Sequence, residues 1–304
     1  MVMNKRILSI QNLNVDYQTS SGYFRAVNGV SLEINEDEVF GIVGESGSGK
    51  STLCNGFLRL LPANSLVTAD HVDFMGRELL EMKERDFRHI RWEQISYIPQ
   101  SAMNTLNPIL TIGQHFFETI EAHEGRKSKE ELRQRTAEAL HRVNLAPEVA
   151  QRYAHELSGG MKQRVCIAMA TLLSPKLIVA DEPTSALDVI SQKSVLQILS
   201  NVRTSLKASM IMIGHDMALQ AQISHRMGIM YAGYFVEIGS TADIFHHPTH
   251  PYTQGLIRAI PSIRRRDDIS VLAACELSEE ERLRLRTPRP LREISAGHFV
   301  ADFS

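Results

Sequence analysis

Apolar residues alternate with polar ones at Leu13, Val15 and Tyr17 and again at Val30, Leu32 and Ile34, the period of half-buried strands. A turn-rich stretch from Ser20 to Gly22 separates them, so the pattern predicts an antiparallel N-terminal sheet. It then changes: Val39 to Val43 (VFGIV) is a short apolar run, as in a strand covered on both faces, and it leads straight into glycines and a helix. Similar buried strands are predicted at Leu177 to Ala180 and Met210 to Ile213, with two more at Met227 to Tyr231 and Tyr234 to Ile238 joined by Ala232 and Gly233. This is an α/β pattern. Residues 84–164 predict a largely helical subdomain inserted in it, since so long a stretch without structure is improbable in a compact domain. Within it Ser128 and Glu131 have capping-box spacing, and Leu132, Leu140 and Val143 mark one helical face. After Ile244 the composition shifts. Pro248, Pro251 and Pro261 precede the arginines 264–266 and a charged segment over 278–292, so a main domain of 1–244 and an appendage of 245–304 are expected, without internal repeats.

The 304 residues suit one large domain with an addition, and the formal charge of -2 supplies no global field for nucleic acid or anionic lipid. Three cysteines, Cys54, Cys166 and Cys275, are too few and too scattered for a disulfide framework or zinc site, which fits a reducing compartment. No apolar run approaches the roughly 18 residues of a membrane span, and the first residues lack the apolar core of a secretion signal. A cytoplasmic protein is expected, held at a membrane, if at all, by another subunit.

Candidate chemistry begins at Gly44-Glu45-Ser46-Gly47-Ser48-Gly49-Lys50-Ser51-Thr52, which matches G-x-x-x-x-G-K-[ST] between a predicted strand and helix. A flexible Gly/Ser turn would need neither the lysine nor the hydroxyl. Backbone amides and the helix N-terminus would cradle phosphates, Lys50 would reach the β- and γ-phosphates of ATP, and the Ser51 hydroxyl would ligate Mg²⁺. The apolar strand 177–180 ends in Asp181-Glu182, carboxylates at the carboxyl edge of a sheet. Alone, such a pair reads as a solvated strand end. Beside a phosphate loop, Asp181 is expected to hold Mg²⁺ through water and Glu182 to polarise the attacking water.

Leu157-Ser158-Gly159-Gly160-Met161-Lys162-Gln163-Arg164 resembles the LSGGQ-type signature of ABC ATPases, and it precedes the acid pair as in that family. The resemblance implies a P-loop NTPase (RecA-like) core with an antiparallel β-subdomain and an inserted α-helical subdomain. It also implies two sandwiched ATP sites, each made from one subunit's Lys50 loop and the other's Ser158, Gly159, Gly160 and Gln163. By the same resemblance Gln100 is the Q-loop glutamine and a magnesium ligand, 185–188 ending in Asp188 the D-loop, His215 the histidine that contacts the γ-phosphate, and Tyr17 the aromatic that stacks on adenine. Glu182, His215, Gln100 and Lys50 form its catalytic set.

The chain is similar over nearly its whole length, to about Ser262, to the ATPase subunits of oligopeptide, dipeptide and nickel importers. The features are the loop 44–49, Ser101-Ala102-Met103-Asn104-Thr105-Leu106-Asn107-Pro108, and His250-Pro251-Tyr252-Thr253 in the appendage. Met161 and residues 165–170 look like the first of the two paralogous ATPases of such importers. The implied partners are a non-identical paralogous ATPase subunit (heterodimer before homodimer), two transmembrane permease subunits and, indirectly, an extracytoplasmic solute-binding protein; no nucleic acid is implied. The implied solutes are peptides, nickel, metal chelates or oligosaccharides, and the implied location is the cytoplasmic face of the membrane. Two departures stand out. Ile98-Pro99-Gln100-Ser101-Ala102 differs from the usual Phe-Gln-Asp-Pro, and Cys275 stands alone where relatives carry several cysteines, so no iron–sulfur cluster is expected.

His246, His247 and His250 lack regular ligand spacing and are not read as a metal site, the arginines 264–266 read as a solvated linker, and Cys54 and Cys166 as small core residues. A soluble ABC ATPase of DNA repair or translation would carry two cassettes or a long coiled coil, and neither is present. A non-hydrolytic subunit would lack Glu182 or His215, and both are here.

Overall fold

The structure, a computed structural model, describes residues 5–185, 187–260 and 283–303. Ala186, Pro261, the arginines 264–266 and Cys275 lie outside the described residues, as does the charged segment up to residue 282. In chain order the elements are β1 (Arg6–Thr19), β2 (Gly22–Asn35), β3 (Val39–Val43), α1 (Lys50–Phe57), β4 (Ser65–Thr68), β5 (His71–Phe74), β6 (Arg77–Glu78) and α2 (Glu84–Phe87). There follow β7 (Ile95–Ile98), α3 (Ile112–Glu124), α4 (Lys129–Arg142), α5 (Gly159–Ala170), β8 (Leu177–Asp181), α6 (Val189–Leu206) and β9 (Ser209–Gly214). The last are α7 (Met217–Gln220), β10 (Arg226–Tyr231), β11 (Tyr234–Ser240), α8 (Thr241–His246), α9 (Pro251–Arg258), β12 (Leu291–Ser295) and β13 (His298–Ala301). They divide into two compact units, Met1–Glu81 with Met212–Ser304, and Met82–Ile211.

In the first unit β1 and β2 form the expected hairpin, with Leu13 opposite Val30 and Ile10 opposite Leu32. The alternating positions Leu13, Val15, Val30, Leu32 and Ile34 are all buried, as the period of two requires. The sheet runs β2-β1-β5-β6, with β4 also on β1. Strands β4 to β6 are only two to four residues long and leave no periodicity to read. All five residues of β3 are buried. Strand β10 lies parallel to β3 and antiparallel to β11, and β13 and then β12 continue the sheet beyond β11.

The described part of the C-terminal region packs within this unit. Tyr252 of α9 joins Val43, Ile229, Tyr234, Val236 and Ile244 in one buried cluster. Beneath it the carboxyl group of Glu237, fully buried, accepts hydrogen bonds from the amides of Thr249 and His250 (2.9 and 3.0 Å) and pairs with His298 Nε2 at 2.8 Å. His250 caps α9, its Nδ1 accepting from the Tyr252 amide at 3.2 Å, with Pro251 in the first helical turn. The three histidines of the sequence patch therefore do not converge, since His246 and His247 are exposed while His250 is buried.

In the second unit β7 runs parallel to β8. The stretch expected to be largely helical thus also contains a core strand, whose four residues ISYI are too few to show a period. Ser128 caps α4 by accepting from the Glu131 amide at 3.1 Å, and Leu132, Leu140 and Val143 are buried along one face. Cys54 and Cys166 are both buried, and burial pushes the Cys166 thiol up to about 12, so it stays protonated and unreactive. Among the described residues no helix is long and apolar enough to cross a membrane.

Burial pushes the His250 imidazole down to about 4, against the opposing pull of Glu237. Its folded-state value lies below that of the unfolded chain, so the unfolded state binds the proton first as pH falls below about 6.5. The stabilisation is fully present above that pH and is lost as pH falls towards 4, up to about 3 kcal/mol. A His250→Asn chain keeps a capping side chain without a titrating group. Its melting temperature should therefore fall less steeply between pH 7 and 4.5 than that of the wild type, as followed by circular dichroism.

Candidate nucleotide site

The buried strand β3 delivers the chain to Gly44, and α1 starts at Lys50. Between them, at Gly44 and Gly49, the loop lies so close to other backbone that a Cβ is excluded. A Cβ on Gly44 would stand 2.2 Å from the Met230 carbonyl oxygen, and one on Gly49 2.6 Å from that of Ala26. Gly49, the residue before α1, also has φ +97°, where L side chains are strained. The Lys50 ammonium is nearly buried, yet it donates to the carbonyl oxygens of Gly44 and Glu45 (both 2.8 Å) and to Ser48 Oγ (3.3 Å). Ser51 and Thr52 lie half-buried on the first turn of α1. An inward-turned glycine loop, a helix N-terminus and a lysine fit a polyphosphate, and the Ser51 hydroxyl adds an oxygen suited to a hard divalent cation.

Other expected residues of this unit lie apart in the chain. Tyr17 is half-buried on β1 opposite Phe24, while Phe24 and Tyr23 are exposed at the hairpin end. Phe24 carried no expected role, although its exposed ring is a second aromatic face beside Tyr17. Arg25 donates two hydrogen bonds of 2.8 Å to the Asp16 carboxylate and holds it below the usual range, which pins this end of the hairpin. His215 is exposed directly after β9, and the next residue, Asp216, caps α7 by accepting from the Leu219 amide at 2.9 Å.

In the second unit Asp181 ends β8, almost fully buried, and the Tyr97 hydroxyl donates to its Oδ2 at 2.9 Å. Tyr97 was missed in the sequence, where its one signal is a polar tip inside a short apolar run. Glu182 turns into the left-handed region at φ +45° and accepts a 3.3 Å hydrogen bond from Gln100 Nε2. Two residues 82 positions apart, one expected to ligate magnesium and the other to polarise the attacking water, are thus in contact. Asp188 caps α6, accepting from the Ile190 and Ser191 amides and from Ser191 Oγ at 2.6 Å; these bonds, led by the Ser191 hydroxyl, lower its pKa.

Ser158 caps α5, with the Met161 amide 3.4 Å from its Oγ. The two glycines that follow differ from those of the phosphate loop. A Cβ on Gly159 would come no nearer than 3.6 Å, to Met103 Sδ, and one on Gly160 no nearer than 3.6 Å, to Ser191 Oγ, both ordinary contact distances. Nothing among the described residues excludes a Cβ there. Gln163, by contrast, is only 3% exposed and so does not share the open face of Ser158 and Gly159.

Residues 27–185 match the family model of ABC transporters, and 236–284 match the C-terminal region of oligopeptide/dipeptide transporters. The chain belongs to the ABC transporter family. Within it the chain is an ATPase subunit of the oligopeptide/dipeptide importer type. It is 43% identical to the dipeptide transport ATP-binding protein DppD of Caldanaerobacter subterraneus subsp. tengcongensis over 84% of this chain and 79% of that protein. It is 41% identical to DppD of Escherichia coli over 84% and 78% of the two chains. Among solved structures it resembles the ATP-binding cassette MJ0796 in a dimeric post-hydrolysis state bound to ADP and Pi, with a TM-score of 0.68, 28% identity, and coverage of 77% of this chain and 98% of that one. The expected α/β fold, a P-loop core with an N-terminal antiparallel sheet and an inserted helical subdomain, is thereby established, as is the class of enzyme, an ATPase.

In this ABC ATPase the seat of the phosphate loop is a backbone-to-backbone contact that no rotamer change can relieve. Gly49→Ala should therefore lower the melting temperature and abolish ATP binding together, as measured by thermal unfolding and equilibrium dialysis. Full stability with wild-type affinity would show that the loop does not need this contact.

Proposed function

We propose that this chain drives an importer for peptides, or for a related small solute such as nickel, a metal chelate or an oligosaccharide, by ATP-dependent dimerisation coupled to transmembrane subunits. The observation that carries the proposal is the contrast between its two glycine sets. Gly44 and Gly49 are required by the chain's own backbone, whereas a Cβ on Gly159 or Gly160 would meet its neighbours only at ordinary contact distance. Glycines in a first helical turn cost stability relative to alanine, roughly up to 1 kcal/mol each in a helix interior. Their presence without an internal reason is accounted for if a second subunit brings its nucleotide against them.

In this reading the loop amides 44–49, Lys50, Ser51 and Thr52 bind the phosphates, and Tyr17 stacks on adenine. Ser51, Gln100 and Asp181 would hold Mg²⁺, which when bound neutralises charge on the phosphate oxygens. Tyr97 orients Asp181 through its hydroxyl. Glu182 accepts a proton from the attacking water, the bond to the γ-phosphorus breaks on the ADP side, and His215 contacts the γ-phosphate. Gln100, bonded to Glu182, links that carboxylate to the loop that follows it, a path for coupling hydrolysis to the membrane subunits. Ser158, Gly159, Gly160 and Asp188 serve the nucleotide of the opposite subunit, whereas Gln163, expected with them, is buried within its own subunit.

The relatives' names support a peptide-type solute, and a paralogous ATPase, two permease subunits and an extracytoplasmic binding protein complete the assembly at the cytoplasmic face of the membrane. Main domain 1–244 and appendage 245–304 divide the work, the first turning over nucleotide and the second being specific to this importer type.

Two outcomes test this. The Glu182→Gln chain should bind ATP, and its solution mass with MgATP reports the pairing: a dimer means self-complementary faces, an ATP-bound monomer means an obligate paralogue, and no ATP binding by a folded chain overturns the proposal. Gly159→Ala should melt at or slightly above the wild-type temperature and bind ATP equally well. Its ATPase rate in the assembled transporter should nevertheless fall at least tenfold, and retained turnover would count against the partner-facing role of the signature.

A further inference from the structure

The peptide unit joining Gly44 to Glu45 is held from both sides. Its carbonyl oxygen accepts from Lys50 Nζ at 2.8 Å, and its N–H donates to the hydroxyl oxygen of Tyr252 at 3.2 Å. A peptide is planar, so two contacts on opposite edges fix its rotation, and with it the direction in which the loop enters its turn. The two contacts differ in permanence. Lys50 is the group expected to reach the phosphates, so its hold on Gly44 is shared with the nucleotide, while the Tyr252 hydroxyl sits on the N–H edge of the peptide. The loop therefore has a second anchor that does not depend on Lys50.

That anchor is rigid. The Tyr252 ring is 4% exposed, lies with its centroid 4.6 Å from that of Tyr231, and belongs to the cluster containing Val43, the last residue before the loop. Its backbone is fixed by the start of α9, where His250 accepts from the Tyr252 amide and buried Glu237 accepts from Thr249 and His250. A continuous chain of hydrogen bonds thus runs from buried Glu237 through the start of α9 to the Glu45 amide. We propose that Tyr252 is a positioning residue of the nucleotide loop, through which the C-terminal region sets the affinity of this subunit for ATP. The inference rests on the nucleotide reading of the Lys50 loop and adds to it a role for the appendage inside the site.

The test compares full-length Tyr252→Phe with Tyr234→Phe. Tyr234 is a buried tyrosine of the same cluster, and its hydroxyl donates instead to the Leu285 carbonyl at 2.6 Å. Three quantities are measured for each chain: melting temperature, the dissociation constant for ATP, and amide hydrogen exchange of the segment containing Glu45. Loss of one hydrogen bond should weaken ATP binding in Tyr252→Phe by about 2- to 10-fold and speed exchange at Glu45 by a similar factor. Tyr234→Phe should lower the melting temperature at least as much, yet leave ATP affinity within about twofold. Wild-type affinity and wild-type exchange in Tyr252→Phe overturn the inference, as do equal losses of affinity in both variants, which would reduce Tyr252 to a packing residue. A folded wild-type chain that does not bind ATP would instead overturn the nucleotide reading, and this inference with it.

Discussion

The carbonyl oxygen of Ala26, near the middle of strand β2, leaves no room for a side chain at either Gly49 or Gly233. A Cβ at those positions would stand 2.6 and 2.8 Å away, and both residues have positive φ, +97° and +91°. The Gly233 amide in turn donates to the Ser48 carbonyl, and its own carbonyl accepts from Asn28. Three segments distant in sequence, the hairpin strand, the phosphate loop and the turn between β10 and β11, thus meet backbone to backbone. The loop's shape follows from this contact, which its own glycines make possible. A close-packed interior transmits such a constraint without slack, because no void exists into which the loop could relax.

Charge is arranged on the same principle, with each buried ion given fixed partners. Lys50 has three oxygen acceptors, Asp181 has the Tyr97 hydroxyl, and Glu237 has two backbone amides and His298. An ion removed from water without such partners would cost several kcal/mol, so the positions of these groups are narrowly determined. At Lys50 and Asp181, the groups proposed to meet phosphate and magnesium, these bonds fix the side chains in place. At Glu237 the same device anchors the C-terminal helix.

Several polar residues carry a second duty as helix caps. Ser158 opens α5, Asp188 opens α6, Asp216 beside His215 opens α7, and His250 opens α9. A cap residue sits in an extended conformation at the mouth of a helix, with its backbone accessible and its side chain turned towards the first amides. Groups needed at a helix mouth are therefore placed there by the same local hydrogen bonds that start the helix. For Ser158 that leaves Gly159 exposed and Gly160 half-buried at the start of the helix.

Much of this was legible in the residues. The hairpin, the buried strands β3, β8, β9, β10 and β11, the α4 cap and the phosphate loop all rest on short-range rules: alternation, apolar runs and capping spacing act over a few residues, and a linear sequence displays them. The acid pair was legible as the end of an apolar strand, read together with the phosphate loop, and the signature through likeness to a family. The strands β4 to β7 were not, being too short for a period to appear. Nor were the contacts between Gln100 and Glu182, Tyr97 and Asp181, or Tyr252 and Glu45, which join residues 82, 84 and 207 positions apart. Their partners are chosen by the packing of whole elements, and no local pattern encodes a distance that only folding creates. The sequence by itself determined the class of chemistry this chain carries and named the candidate residues for it, because motif and period are properties of neighbours. Only the tertiary structure decided that a tyrosine of the C-terminal region belongs beside the nucleotide loop, since that depends on a cluster of side chains drawn from residues 43 to 301.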